Sequence, residues 1–375
     1  MQRRHFMKLA GAAACGAWLG ASSTSATPFA DSADPTQCRY APPGEYVKDH
    51  TFVRRNGWWH LYSISGQAGL NWFYSGNEET LSWSISRDLQ NWELRGHVIH
   101  PSERENTFDE DMIWAPYCLE ANHRYYMYYA GCIQQVRPLQ YDRRGTLGKI
   151  VSSPGDACSI GIAVSDDLTR WTKVSDAVKG IGFPGRDPNI IRDEKNGRWL
   201  MYTTGAVVDK LPGAYVSESH DLLNWKVLRP CAKFPPVPKG WRAGYTVDCL
   251  AEFGSDPAES LVVMKHPKTG QWVMMANWHY ILSDDPTNFL KSDAQLYNVE
   301  FEGKPADLGF AGEILESDGK WYRSGVIGPL DEWKLAFTEI EWVPDGAFRI
   351  VKPSVLSGFW GPHKAGTCSD PAESS

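Results

Sequence analysis

Residues 56–62 read Asn-Gly-Trp-Trp-His-Leu-Tyr, a turn followed by β-forming side chains. Asn-Gly favours a tight hairpin, because both central residues of a type I′ turn need positive φ. The same pattern recurs at Asn122-His123-Arg124-Tyr125, Asn196-Gly197-Arg198-Trp199, Thr269-Gly270-Gln271-Trp272 and Asp318-Gly319-Lys320-Trp321. The chain therefore contains five similar strand units.

A second motif follows these hairpins. Residues 86–92, 165–171 and 219–225 share the pattern Ser-x-Asp-Leu-x-x-Trp, and 283–289 and 328–333 are weaker forms. Ser and Asp side chains bond the nearby backbone and stabilise turns, so the aromatic residue is expected to pack in the strand that follows.

Five matched units predict an all-β fold, a five-bladed β-propeller with four-stranded antiparallel blades and a core of about residues 40–355. A length of 375 residues would otherwise suggest two or three domains. A pair of β-sandwiches would not explain five matched units. Part of the aromatic content of 13% is thereby assigned to the scaffold.

The N-terminus has the features of an export signal. Arg3-Arg4-x-Phe6-x-Lys8 precedes an apolar run over 9–20 and then small residues, as in twin-arginine signals. An uncleaved anchor is disfavoured, because about 20 apolar residues are needed to span a bilayer. We predict a signal over 1–30, cleaved after Ala26 or Ala30. A single catalytic propeller with a C-terminal tail over 31–375 would then lie in the periplasm or outside the cell.

The net charge and the cysteine content bear on whether the protein binds nucleic acid or zinc. A net charge of −7 disfavours nucleic-acid binding, and no later segment predicts a membrane span. The eight cysteines include no Cys-x-x-Cys pair, so a zinc site is not expected. Export permits disulfides among the seven cysteines outside the signal, and Cys38 with Cys368 could tie the chain ends together. The sequence does not indicate an oligomeric state.

Acidic residues stand where the innermost strands should begin. The key aromatic residues of the five hairpin units are Trp59, Tyr125, Trp199, Trp272 and Trp321. Counting back 10 to 13 residues from each of them reaches, in turn, Asp49, Trp114, Asp187, Glu259 and Phe310. Innermost strands line the axis, so the three acids should converge there. Converging like charges cost stability and are usually retained for chemistry. The alternative is that each acid only begins a turn or a strand.

Glycoside hydrolysis is chemistry that needs such carboxyl groups. One group protonates the leaving oxygen, and another activates water or attacks the anomeric carbon. Aromatic side chains suit sugars, because C–H faces stack on their rings. The expected partner is an oligosaccharide or a polysaccharide.

Three tripeptides carry a family resemblance. They are Trp114-Ala115-Pro116, Arg186-Asp187-Pro188 and Ala258-Glu259-Ser260, one in each of three successive units. Over residues 40–355 the chain resembles the five-bladed propeller glycoside hydrolases of family 43 and families 32 and 68. These include arabinanases, arabinofuranosidases, xylosidases, invertases and levanases.

The resemblance implies a role for each acid. Asp49 is similar to the general base of family 43 or the nucleophile of family 32, Asp187 to the modulating or transition-state-stabilising Asp, and Glu259 to the general acid. Glu252, near Cys249, is a rival for the acid. His50 replaces the Pro that is usual after the first acid.

The resemblance also bears on cofactors. Phe310-Ala311 stands where many family 43 members place an axial His linked to a metal ion. No cofactor is expected to be required, and a structural calcium ion is not supported by the residues present.

Substrate contacts are predicted for Trp114, Arg186, Arg323, Trp72 and His50. For Trp114 and Trp72 the alternative is core packing, and for Arg186 it is a salt bridge to a neighbouring carboxylate. The long insertion over 132–158 is expected to form one wall of the pocket.

The sequence thus predicts an exported glycosidase for furanoside or pentoside linkages, with arabinose-containing glycans favoured and inversion slightly favoured. One alternative is a retaining fructan hydrolase or transferase with Asp49 as nucleophile. Another is a non-catalytic carbohydrate-binding propeller, which is disfavoured because all three acid positions are filled. The sugar, the linkage and exo or endo action remain open.

Overall fold

The computed structural model describes residues 33–70, 76–103, 107–132, 140–141, 147–148, 158–174, 185–238, 257–329 and 331–357. The described residues from Asp34 onward belong to one compact unit. The predicted export signal, Trp72, Glu252, Cys368 and most of the 132–158 insertion lie outside these ranges.

Five antiparallel sheets of four strands each form the blades, which confirms the predicted five-bladed propeller. Strands that follow one another within a blade are paired neighbours. The blades consist, in chain order, of β1 (Glu45–Arg55), β2 (Trp58–Gln67), β3 (Leu81–Ser86) and β4 (Glu93–Val98); β5 (Met112–Ala121), β6 (Arg124–Cys132), β9 (Cys158–Ser165) and β10 (Thr172–Lys173); β11 (Arg186–Asp193), β12 (Arg198–Val208), β13 (Leu211–Ser219) and β14 (Lys226–Lys233); β15 (Val262–Lys265), β16 (Trp272–Met275), β17 (His279–Ser283) and β18 (Gln295–Leu296); β21 (Ile314–Ser317), β22 (Lys320–Ile327), β23 (Lys334–Trp342) and β24 (Phe348–Lys352).

Two small hairpins interrupt the blade series. They are β7 (Gln140–Tyr141) with β8 (Leu147–Gly148), and β19 (Glu300–Phe301) with β20 (Lys304–Pro305). Helix in the described ranges is confined to short 3-10 turns at Pro35–Gln37 and Glu194–Asn196. None of these helices has the length and hydrophobicity to cross a membrane.

The hairpin turns have the geometry predicted from their residues. Asn56 and Gly57 have φ of 51° and 76°, and Asp318 and Gly319 have φ of 53° and 78°. Both pairs therefore have positive φ at the two central positions, as a type I′ turn requires. The pairing of the first two strands in these blades therefore follows from the residues of the turn between them.

The Ser-x-Asp-Leu motif forms a turn stabilised by its own side chains. Ser86 Oγ accepts the Leu89 N–H at 2.9 Å, and Asp88 Oδ1 accepts the Gln90 N–H at 2.9 Å. Leu89 has φ of 62° and is buried. The same bonds recur at 165–170 and 219–224, so the predicted turn is confirmed. The aromatic residue of each motif lies just before the next strand and not within it.

Tyrosines of the repeat connect one blade to the next. Tyr62 in the first blade donates to the Leu168 carbonyl in the second at 2.5 Å. Tyr128 in the second blade donates to the Leu222 carbonyl in the third at 2.6 Å. Each acceptor lies in a Ser-x-Asp-Leu turn, so the two sequence motifs together set the packing between blades.

The N-terminal segment closes the ring against the last blade. Tyr40 and Leu335 exchange two backbone hydrogen bonds, of 2.7 and 3.2 Å. The Val47 N–H donates to the Trp333 carbonyl at 3.1 Å, and Tyr46 packs edge-on against the Trp333 ring. These contacts hold β1 beside the fifth blade. They thereby place Asp49 of β1 near the axis.

One disulfide is present among the described cysteines. It joins Cys132, at the end of β6, to Cys158, at the start of β9. Cys38 is a buried free thiol whose Sγ donates to the Leu335 carbonyl at 3.6 Å. The disulfide ties together the two ends of the 132–158 insertion.

Candidate active site

A small pocket lies where the first strands of the five blades converge. Its empty volume is about 270 Å³. Every blade contributes to the lining, which consists of Asp49, His50, Ala115, Pro116, Asp187, Pro188, Ser260, Leu261, Ala311 and Glu313. The site is therefore axial, as the positions of the acids predicted.

The innermost strands enter this pocket through a distorted backbone. Ala115, Asp187, Ser260 and Ala311 have φ between 43° and 56°, which non-glycine residues seldom adopt. The pairing register shifts at the corresponding points of β1, β5 and β11. Such bulges re-aim side chains and are common next to active sites.

The lining residues correct the predicted alignment of the units. The sequence count placed Trp114, Glu259 and Phe310 beside Asp49 and Asp187. In the structure the residue after each of those three lines the pocket instead. The connection between the first two strands is longer in the third and fourth blades than in the others. A count back from the aromatic residue over a range of 10 to 13 positions did not resolve this difference, so it was wrong by one residue in three units.

Ser260 joins the two aspartates of the site. Its hydroxyl group donates to Asp49 Oδ1 at 2.9 Å, and its backbone N–H donates to Asp187 Oδ2 at 3.0 Å. The structure thus brings Asp49 and Asp187 together across one residue of the fourth blade. Sequence reasoning treated Ser260 only as a neighbour of Glu259.

Asp187 is a buried carboxyl group among other acids. Burial raises its pKa to about 7, opposed by the charge of Arg186 and reinforced by the charges of Asp49 and Glu259. At neutral pH it therefore exchanges a proton readily, which is typical of an acid used in catalysis.

Glu259 lies next to the pocket, beside Ser260. Its side chain is 31% exposed, and Arg186 Nη2 donates to its Oε1 at 2.7 Å. Arg186 Nε also lies 3.9 Å from Asp187 Oδ2. Arg186 therefore forms a bridge between two acids, which favours its salt-bridge alternative and makes it a positioning group.

Glu313 is an acid of the site that sequence reasoning missed. It precedes β21 and lines the pocket with Asp49 and Asp187. Burial and the charge of Asp49 raise its pKa to about 8, while Arg323 acts in the opposite direction. Its only sequence signal is an acid three residues after Phe310.

His50 lines the pocket, but both ring nitrogens bond to the protein. Nδ1 donates to the Lys48 carbonyl at 2.9 Å, and Nε2 accepts from the Ser324 hydroxyl at 2.7 Å. Burial lowers the pKa of His50 to about 4, so the ring is neutral. A sugar could use only its carbon edge.

Arg323 is placed beneath the site instead of in its lining. It is 3% exposed, and its Nη1 donates to the carbonyl groups of Leu308 and Ser324 at 2.6 and 3.2 Å. Its predicted contact with a sugar is thus replaced in this structure by backbone contacts. Its charge still acts on Glu313.

Trp114 packs in the core between blades. It is 7% exposed, and Lys48 Nζ lies 5.2 Å from the centroid of its ring. Little ring surface is left for a sugar, which favours the core-packing alternative for this residue.

The described residues contain no cluster of three or more His, Cys, Asp or Glu side chains arranged to hold a metal ion. Asp49 and Asp187 bond to Ser260, and Glu259 bonds to Arg186. The chemistry assembled there is that of proton transfer between acids.

We expect a Ser260→Gly variant to remain folded and to lose about tenfold in kcat. The lost hydroxyl group donates to a carboxylate, and such bonds contribute about 1.5–3 kcal/mol. Glycine tolerates the φ of 56° at this position and keeps the backbone bond to Asp187. Steady-state kinetics and thermal unfolding check this, and an unchanged kcat would remove Ser260 from the positioning of Asp49.

Comparisons with known proteins give a family match and a set of similar folds. Residues 60–202 match the model of the family described as Glycosyl hydrolases family 43. A search of curated proteins gives no match.

Solved structures with the same fold include members of two families. RS223 β-xylosidase has a TM-score of 0.56 and 18% identity, with 84% of this chain and 98% of that chain covered. The β-xylosidase/α-arabinofuranosidase CoXyl43, from a compost metagenome, has a TM-score of 0.54 and 16% identity, with 83% and 96% covered. A GH32 β-fructofuranosidase of Bombyx mori has a TM-score of 0.54 and 15% identity, with 86% and 66% covered.

The family match and the five-bladed fold confirm the resemblance predicted from the three tripeptides. The family match over residues 60–202 supports hydrolysis of O-glycosyl bonds as the reaction class.

Proposed function

We propose that this glycoside hydrolase is an exported enzyme that cleaves furanoside or pentoside linkages, with arabinose-containing glycans favoured, by means of Asp49, Asp187 and Glu259. The observation that carries the proposal is the link made by Ser260, which bonds Asp49 and Asp187 and directly follows Glu259. Asp49 and Asp187 therefore face one pocket, and Glu259 lies beside it.

The lining of the pocket suits a polar ligand such as a sugar at the reacting position, because Asp49, Asp187 and Glu313 all face it. The names of two structural neighbours, a β-xylosidase and a β-xylosidase/α-arabinofuranosidase, are consistent with a pentose there.

The proposed division of roles follows the surroundings of each acid. Asp49, held by the Ser260 hydroxyl group, activates the attacking water. Glu259 is more accessible than Asp187 and is oriented by Arg186, so it protonates the departing oxygen. Asp187 lies between them as the modulating carboxyl group. Two carboxyl groups acting from opposite sides of the sugar give inversion.

Export is supported by two features of the chain. The N-terminal residues carry the twin-arginine pattern. The Cys132–Cys158 bond is a disulfide. Disulfides form in oxidising compartments, and such signals direct proteins to compartments of this kind.

A second candidate is a retaining fructan hydrolase or transferase with Asp49 as nucleophile. It is favoured by Arg186-Asp187-Pro188 and by the similarity in fold to the GH32 enzyme. NMR of the first-formed anomer separates the two, because an inverting enzyme releases the opposite anomer and a retaining enzyme releases the same one.

We expect a Glu259→Gln variant to lose most activity on substrates whose leaving group must be protonated. On an unactivated arabinoside the loss should be at least about 100-fold, because general acid catalysis contributes about 10²–10⁴. On a 2,4-dinitrophenyl glycoside, whose leaving group needs no proton, the loss should be much smaller. An equal loss on both substrates would assign the proton to another acid.

A further inference from the structure

Glu313 occupies a place in the pocket that the three proposed catalytic acids leave open. It follows Ala311 by two residues, so its side chain enters from one step farther along the innermost strand of the fifth blade. Its charge contributes, after burial, to the raised pKa of Tyr117 in the second blade. Glu313 therefore lies close enough to the second blade to act on Tyr117.

The main chain of Glu313 is fixed while its carboxyl group remains available. Its N–H donates to Ser324 Oγ at 3.0 Å, and its carbonyl group accepts the Ser324 N–H at 2.9 Å. Asp49 and Asp187 are bonded to Ser260, and Glu259 to Arg186. No hydrogen bond to the Glu313 carboxyl group occurs among the described residues. Buried polar groups are usually satisfied, so a group left open toward a pocket fits one that bonds to what enters it.

The charges around Glu313 favour a neutral carboxylic acid. Asp49 faces it from β1 and Arg323 from β22, while Tyr117 of β5 and Asp187 of β11 lie nearby. Burial and Asp49 together raise its pKa to about 8, against the effect of Arg323. A neutral carboxyl group both donates and accepts, as a sugar hydroxyl group does.

We propose that Glu313 is a substrate-binding residue, whose carboxyl group bonds to a hydroxyl group of the sugar at the reacting position. The inference rests on the proposed function, because it assumes that a sugar occupies this pocket. It adds a specificity-determining contact from the fifth blade to the three acids that carry out the reaction.

The test uses the full-length enzyme and 4-nitrophenyl α-L-arabinofuranoside with its 2-, 3- and 5-deoxy analogues. For the wild type, one analogue should lose at least tenfold in kcat/KM, because a site built to bond a hydroxyl group rejects a ligand that lacks it. In Glu313→Leu the parent substrate should lose a similar factor, mainly through KM, and the discrimination against that analogue should disappear. Equal discrimination in the variant and the wild type would overturn the proposal.

Glu313→Gln supplies a second readout that does not depend on the leucine variant folding. An amide keeps a donor and an acceptor but cannot ionise. The KM of the wild type should rise between pH 7 and 9 as Glu313 loses its proton, and this rise should be absent in Glu313→Gln. The proposal fails if both proteins show the same dependence of KM on pH. Glu316→Gln, on the exposed side of the same strand, is the matched control and should follow the wild type.

Failure of the proposed function would be visible separately, as a wild type that hydrolyses none of the arabinosides. In that event, calorimetric titration with L-arabinose and D-xylose measures sugar binding directly and replaces the kinetic test. Weaker binding to Glu313→Leu than to the wild type supports the contact. Equal binding to the two proteins, or none to either, contradicts it.

Discussion

An Asp49→Asn variant is expected to lose about 10³-fold in kcat on every glycoside that the enzyme cleaves. The amide can no longer take a proton from water or attack the anomeric carbon, and either role contributes factors of this size. Its oxygen can still accept the Ser260 hydroxyl group, so the pocket should keep its shape. Steady-state kinetics on 4-nitrophenyl glycosides measures the loss.

Asp284→Asn is the matched control for Asp49→Asn. Asp284 is exposed, and its carboxylate accepts a hydrogen bond from the Gln271 side chain. This control should retain wild-type kcat. Activity in Asp49→Asn within tenfold of the control would exclude Asp49 as base or nucleophile.

An Asp187→Asn variant is expected to be more stable than the wild type at pH 8. The pKa of Asp187 is raised from 3.8 to about 7, first by burial and also by Asp49 and Glu259, against Arg186. A group whose pKa is raised by folding stabilises the protein below its unfolded pKa, and that stability is lost as pH rises through about 7. The neutral amide avoids this loss, which amounts to about 2–4 kcal/mol. Urea unfolding at pH 4 and pH 8 measures it, and the gain should vanish at pH 4.

Asp193→Asn, at the other end of β11, should show the opposite sign. Burial acts to raise the pKa of Asp193, but bonds from Asn196 and Arg198 outweigh it and lower the pKa. Its amide variant should therefore be less stable than the wild type at pH 8. A stabilised Asp193→Asn, or an Asp187→Asn with no gain, would contradict the electrostatic account of the pocket.

The blades could be predicted because their signals are local. Asn56-Gly57 encodes its turn through the φ values its two residues allow, and Ser86 with Asp88 bonds its own turn. Repetition of these short motifs was enough to count the blades and to assign the first strand of each. Asp49 and Asp187 followed from that assignment, and both line the pocket.

The rest of the site depends on details that β-periodicity does not carry. The connection between the first two strands differs in length among the blades, so the sequence count missed Ser260 by one residue and with it the bonds to both aspartates. Glu313 was missed because it lies beyond the position that was counted. Trp114 and Arg323 were expected to contact a sugar, but packing between blades buries both, and such contacts arise only once the ring closes.

The central claim is that this propeller hydrolyses pentose-containing glycosides at its axial pocket. The most direct test incubates the full-length protein with 4-nitrophenyl α-L-arabinofuranoside, 4-nitrophenyl β-D-xyloside and a fructan, and identifies the products. We predict release of arabinose or xylose. Release of fructose alone, or sugar binding by the folded protein with no hydrolysis of any of these substrates, would contradict the account.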